Sequence, residues 1–272
     1  MDQVVDDASS IWRIMQSEAR QASIEQPLLA DFFHSSIICY RDFTSAVSSY
    51  LAYQFKSIEI PAAAIHEIFK LAVEDNPIIV EQMLHDLLAY KKRDPTCSQY
   101  IIPFLYFKGY HSLQIYRIAH WLWQQQRIAL ANYFQSRLSV LFDVDIHPAA
   151  TLGSGIMLDH ATGVVIGETA VIENDVSILH GVTLGGSGSL KHDRHPKVRR
   201  GVLLSTGARL FGNIEVGEGA KIGAGSLVLN SVPAHTTVAG VPAKIIGKSK
   251  SAMPSLDMNH QIDEDAISEK VE

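Results

Sequence analysis

From Ile146 onward an aliphatic residue returns at every sixth position, in three runs: Ile146, Leu152, Leu158; Ile166, Ile172, Ile178, Leu184; and Leu204, Leu210, Val216, Ile222, Val228. Four places after most of them stands a small or β-branched residue, as at Ala150, Thr162, Ala170, Val176, Ala208 and Ser226, with Gly, Asn, Asp and Glu crowded between. A helix would scatter a six-residue period around its circumference. The pattern instead predicts short strands joined by tight corners, three hexapeptides to a triangular coil, with the aliphatic side chains inward and stacked coils paired in parallel about 4.8 Å apart. Each coil of such a solenoid buries its face only against its neighbours. The beat slips between Leu158 and Ile166, eight positions apart, where a bulge is expected. Between Leu184 and Leu204 it vanishes, and GGSGSLKHDRHPKVRRG reads as one loop thrown out from the prism.

Upstream the texture changes. Apolar residues at spacings of three and four, as in Phe43, Val47, Tyr50, Leu51 and again Val80, Met83, Leu84, Leu87, Leu88, predict six to eight helices over residues 1 to about 142. Pro61 and Pro77 suit first helical turns, and Asp94-Pro95 and Gly109 mark helix ends. Residues 110–142 predict two aromatic-rich helices leading straight into the solenoid. After Gly240-Val241-Pro242-Ala243 the beat is lost, and residues 249–272, polar and acidic, read as a mobile tail.

Composition narrows the function. With 272 residues, 47% of them hydrophobic, the chain can bury a core of one large or two modest domains. A net charge of −6 without a long basic run argues against nucleic acid as the partner. The acidic start resembles no secretory signal, and no stretch approaches the roughly 20 apolar residues of a membrane span, so a cytoplasmic protein is expected. Cys39 and Cys97 lack ligand-like spacing and are expected as buried thiols.

Chemistry concentrates in the solenoid. Asp145 and His160, 15 positions apart, fall on successive coils, near enough for a carboxylate to orient an imidazole as general base. Asp-His pairs are common, and on spacing alone a pair capping a solenoid corner is the leading reading. His147, His160, His180, His192 and His195 show no recurring ligand spacing, so no metal site is expected. Asp193-Arg194-His195-Pro196 suits either the ammonium and carboxylate of an amino acid or a solvated charged turn. Asp94 reads as a helix stop or N-cap before proline. Lys221, Lys244 and Lys248 offer positive charge to a phosphate, or simply face solvent.

Taken together, DVDIHPAATLGSGIMLDHATGVVIGETAVIENDVSILHGVTLGG, DRHPK, GNIEVGEGAKIGAGSLVL, AGVPAKIIG and the preceding GYHSLQIYRIAHWLW resemble the serine O-acetyltransferases of the hexapeptide-repeat acyltransferase superfamily. The resemblance is strong over about residues 90–247. It implies an α+β fold: an all-helical oligomerisation domain (1–142), a left-handed parallel β-helix (143–247) and a mobile C-terminal tail (248–272). It implies acetyl transfer from acetyl-CoA to L-serine, with active sites between neighbouring solenoids of a homotrimer, or of a dimer of trimers. His160 would be the base and Asp145 its partner. Asp94, Asp159, Arg194 and His195 would surround serine. Acetyl-CoA would be a co-substrate, with no permanent cofactor, lying near Gly186, Thr206 and Ala224, with Lys221 or Lys244 toward its phosphates. L-Cysteine would inhibit, with the segment around Met258 folding over the site.

Three positions depart from that pattern. Thr206 stands where the family usually has alanine, and His192 where it has a small residue. Related bacterial enzymes often end in an isoleucine that enters O-acetylserine sulfhydrylase; this chain ends Lys270-Val271-Glu272, so a weak or absent complex is expected. The rival readings are an acetyltransferase acting on a sugar or antibiotic hydroxyl, a zinc-dependent hydratase resembling the γ-class carbonic anhydrases, and a scaffold for the sulfhydrylase.

Overall fold

The computed structural model describes residues 8–188 and 192–261. Lys270, Val271 and Glu272 lie outside the described residues. The chain opens with α1 (Ala8–Glu25), whose stripe of Ile11, Trp12, Met15 and Ala19 is buried. A run of short turns from Pro27 to Ile38 includes α2 (Ala30–Phe33). In α3 (Phe43–Phe55) Asp42 is the N-cap, accepting from the Ser45 amide at 2.8 Å. Pro61 and Pro77 stand immediately ahead of α4 (Ala62–Asp75) and α5 (Ile78–Arg93), where a missing N–H costs nothing. After α6 (Ile101–Tyr106) come α7 (Lys108–Gln124) and α8 (Ile128–Phe142). From Gly109 to Ala119 every residue of α7 is buried, because the helix is wedged between its neighbours and the solenoid. Gly109 lies inside the first turn of α7 rather than beyond a helix end. Cys97 is buried, as expected, whereas Cys39 is exposed.

The solenoid strands are β1 (Val144–Ile146), β2 (Thr151–Leu152), β3 (Met157–Asp159), β4 (Val164–Ile166), β5 (Val171–Ile172), β6 (Ser177–Leu179), β7 (Thr183–Gly185), β8 (Lys197–Val198), β9 (Leu203–Leu204), β10 (Arg209–Phe211), β11 (Glu215–Val216), β12 (Lys221–Ile222), β13 (Leu227–Val228), β14 (Thr236–Gly240) and β15 (Ala243–Lys248). They form three faces: β1-β4-β7-β10-β13, then β2-β5-β8-β11, then β3-β6-β9-β12-β14-β15. Pairing is parallel throughout except for the closing β14–β15 hairpin. This is an N-terminal helical region followed by a parallel β-helix. Each periodic aliphatic side chain predicted to point inward is buried, 6% exposed or less.

Register locates the irregularities. Val165 pairs with Thr183 and Arg209 with Leu227, 18 residues on, whereas Val144 pairs with Val164, 20 on, and Thr183 with Arg209, 26 on. One coil therefore carries two extra residues and another carries eight. The two-residue excess puts Thr162 outside and Ala161 in the buried small position. The long polar segment is only partly a loop: Lys197–Val198 rejoins the second face, with Val198 and Val202 fully buried. Val198 is six positions before Leu204, a beat masked by the charged residues around it.

Over its described part, residues 251–261, the tail packs on the third face through a short helix, α9 (Pro254–Asp257), with Pro254 and Ser255 buried. Ser177 Oγ donates to the Ser255 carbonyl at 2.9 Å, and Ser255 Oγ donates to that of Asp175.

The first coil has no coil above it, so backbone groups on its upper edge need other partners. Side chains of α5 and α7 supply them. Arg117 donates to the Gly153 carbonyl at 2.9 Å, Asp86 accepts from the Ile156 amide at 3.0 Å, and Tyr90 bonds the backbone of Leu158. Tyr116 donates to the Ala150 carbonyl, and the His120 ring bonds that of Pro148 at 2.7 Å. Asp86 is fully buried. Burial pushes its carboxyl up, while Arg117, Ile156 and Gln114 all donate to the charged form.

Asp86→Ala leaves Arg117 buried without its counter-charge. Chemical denaturation of the variant is expected to show a loss of about 3–5 kcal/mol, with Asp86→Asn losing less. His111 supplies a pH test, because burial holds its imidazole down at about 4. Its stabilising neutral form is fully present above the ordinary histidine range and is lost as pH falls toward 4. Stability is expected to drop by about 2 kcal/mol between pH 7 and pH 5, a drop that His111→Asn should flatten in urea titrations at the two pH values.

Candidate active site

The two-residue excess forms the corner between the third and first faces. His160 and Ala161 both take left-handed backbone conformations, φ 54° and 60°. The Ala161 amide bonds the Asp159 carbonyl at 2.6 Å, and the Thr162 amide that of His160 at 2.8 Å. Such conformations are strained for residues with a Cβ. Here they drive Ala161 inward as a plug and turn His160 out, leaving its side chain 76% exposed.

Below this corner the same edge is built from glycines. Gly163, Gly181, Gly207 and Gly225 stack coil on coil with φ between 67° and 71°, and a Cβ placed on Gly181 would come within 3.4 Å of the Gly207 backbone. Only glycine adopts that conformation without cost and leaves the edge bare. Thr206 and Ala224 stand on this edge one and two coils below His180, so the structure aligns both with His160. His180 itself lies directly below His160, the rings edge to face at 5.9 Å.

A cleft of about 630 Å³ opens beside His160, bounded by Tyr90, Asp94, Lys108, Asp159, Met258 and His260. Asp94 ends α5, and its Oδ1 accepts from the Thr96 amide at 2.8 Å and hydroxyl at 2.7 Å, so it is both the helix stop predicted and a wall of the cleft. Asp159 Oδ1 is 3.8 Å from His160 Nε2. Asp94, Asp159 and His160 are thus brought together. Asp145 is not joined to His160 as the spacing suggested. It points outward from β1 and accepts from Gln135 of α8 at 2.7 Å; among the described residues, Asp159 is the carboxylate in reach of His160. Spacing placed Asp145 on the right coil, but not its side chain across the corner.

Arg194 and His195 occupy a different edge, where the first face turns into the second. Arg194 pairs with Glu168 at 2.6 Å, which holds the Glu168 carboxyl below its usual range. Thr169 organises this edge: its Oγ1 accepts from the amides of Arg194 at 3.0 Å and His195 at 3.1 Å, and lies 2.9 Å from His195 Nδ1. The Thr169 amide donates to Nδ1 at 3.2 Å, so Nδ1 is an acceptor and neutral His195 carries its proton on Nε2. Burial, with the Arg194 charge beside it, keeps that imidazole below the ordinary histidine range. Gly186 packs against both residues. Within one chain, therefore, Gly186, Arg194 and His195 are separated from His160.

Lys221 lies on the third face, nearly buried, and its ammonium donates to the Gln261 carbonyl of the docked tail at 2.5 Å. Lys244 is exposed on β15. Ser205, next to Thr206, bonds His260 at 3.1 Å, and burial lowers the His260 pKa. Tyr90, Lys108 and His260 escaped the sequence reading. Nothing in a helical apolar stripe marks Tyr90 as facing a cleft 68 residues away, and nothing in the polar tail singles out His260.

Comparison with known proteins gives one consistent result. The family described as serine acetyltransferase, N-terminal, matches residues 11–115. The serine acetyltransferase of Escherichia coli K12 is 53% identical over 249 residues, 92% of this chain and 91% of that protein. A solved serine acetyltransferase in complex with cysteine superposes with a TM-score of 0.92 at 50% identity, covering 94% of this chain and all of the other. That of Brucella abortus in complex with coenzyme A gives 0.88 at 47%, covering 90% and 98%.

Proposed function

The chain belongs to the serine acetyltransferase family, and on that premise we propose that acetyl transfer runs in the cleft beside His160, with His160 as general base. The enzyme transfers the acetyl group of acetyl-CoA to the hydroxyl of L-serine, giving O-acetyl-L-serine, and L-cysteine feeds back on it. The observation that carries the site assignment is the left-handed corner, which presents an exposed imidazole over a cleft walled by two carboxylates.

His160 takes the hydroxyl proton as the serine oxygen attacks the thioester carbonyl; the C–S bond breaks, and the imidazolium returns the proton to the leaving thiolate. Asp94 and Asp159, which wall the cleft beside His160, suit the substrate ammonium. Arg194 and the Nε2–H of His195 suit the serine carboxylate. The pantetheine arm follows the glycine edge past Thr206 and Ala224, with Lys221 or Lys244 toward the phosphates.

Because the Arg194 edge and the His160 edge flank the first face, the two half-sites meet when copies pack around a threefold axis. We therefore assign a homotrimer, with the exposed apolar side chains Ile24, Leu28 and Ile58 of the helical region joining two trimers. Met258 and His260, reaching the cleft from the tail, give cysteine its route to closing the site. A cytoplasmic location, where acetyl-CoA is available, belongs to the same proposal.

Following loss of thioester absorbance tests this directly. The intact chain is expected to consume acetyl-CoA only with L-serine present, and His160→Ala to lower kcat about 10²–10⁴-fold. Consumption with a sugar acceptor instead, or an unaffected variant, overturns the assignment.

A further inference from the structure

Tyr90 has a place in this chemistry that its position in a buried helix stripe does not announce. Its side chain is 1% exposed, and its hydroxyl makes two bonds to a single residue, donating to the Leu158 carbonyl at 2.9 Å and accepting from the Leu158 amide at 3.1 Å. A phenol hydroxyl does both at once through a single oxygen, which a phenylalanine ring cannot. In lower coils those two backbone groups belong to the parallel ladder: Leu158 pairs downward with Ile178, and Ile178 with Leu204. Upward there is no strand, because β3 is the edge of its sheet.

We infer that Tyr90 is a positioning residue for the transfer, its hydroxyl standing in for the missing strand so that Asp159 and His160, the next two residues, are held at the cleft. The inference rests on His160 being the base. The geometry around it is consistent. Gly109 brings the backbone of α7 against the same carbonyl, and a Cβ there would strike both Leu158 O and the Tyr90 hydroxyl. On the far side of the corner, Lys108 donates to Thr162 Oγ1 at 2.5 Å. Helices α5 and α7 thus grip the corner before and after His160.

Tyr116 supplies the control. It is as buried as Tyr90 and bonds the same first coil, but at Ala150, on another part of the turn. Steady-state kinetics and melting temperatures would be measured for Tyr90→Phe, Gly109→Ala, Tyr116→Phe and His160→Ala. The expected result is that Tyr90→Phe and Gly109→Ala lower kcat about ten- to a hundredfold, with KM for serine and acetyl-CoA within about threefold of the parent, while Tyr116→Phe melts lower but keeps kcat. A folded Tyr90→Phe with parental kcat overturns the inference. So does a fall in kcat that Tyr90→Phe and Tyr116→Phe share in proportion to lost stability. If Tyr90→Phe does not fold, Gly109→Ala decides, and parental kcat there is equally fatal. Parental activity in His160→Ala would instead overturn the assignment of the base, and with it the premise.

Discussion

The open upper edge of the first coil is the constraint on which the rest of this structure depends. A parallel β-helix satisfies its backbone by stacking, and whatever begins the stack exposes a row of amides and carbonyls. Each buried without a partner costs about 1–3 kcal/mol. Here a second polypeptide layer meets that cost with side chains: Tyr116, Arg117, Asp86 and Tyr90 each replace part of a strand. The helical region is therefore registered on the solenoid residue by residue, not merely packed against it.

That registration sets the site. The cleft exists because α5 ends at Asp94 beside the corner that carries Asp159 and His160, and α5 is held there by Tyr90 and Asp86, one and two turns earlier. The corner itself is one of two departures from the regular coil, two residues longer than the coil requires. Its strain is confined to His160 and Ala161, anchored by a buried methyl group on one and backbone bonds on both sides. Regular coils below supply what such a corner cannot, a long edge of bare glycine backbone along which an extended co-substrate can lie.

The other half of the chemistry is placed by the eight-residue excess. Its start and end return to a common edge at Gly186 and His195, and Thr169 gathers the two amides and the imidazole into one arrangement. One chain keeps these groups away from His160, and that separation is the observation behind the threefold assembly proposed above. The tail, docked across the third face from Ser255 to Gln261, lies between the cleft and Lys221 and so touches both substrates' proposed routes.

The solenoid was legible in the sequence, because a period of six has one structural solution and each aliphatic position repeats the same local burial. The two irregularities were legible as interruptions of the beat, and the chemistry-bearing residues fell on or beside them. His160, singled out by its 15-residue spacing from Asp145, sits on the first of them. Only the tertiary structure decided what depends on direction and partners. Spacing put Asp145 near His160, yet Gln135 claims its carboxylate; Val198 stayed hidden among charges; a polar tail found a dock because Ser255 and His260 meet polar groups that coil folding had already arranged. Tyr90 is the sharpest case. A helical stripe records that a side chain is buried but not against what, and the value of its hydroxyl comes from a strand that the solenoid lacks, which no local pattern can encode.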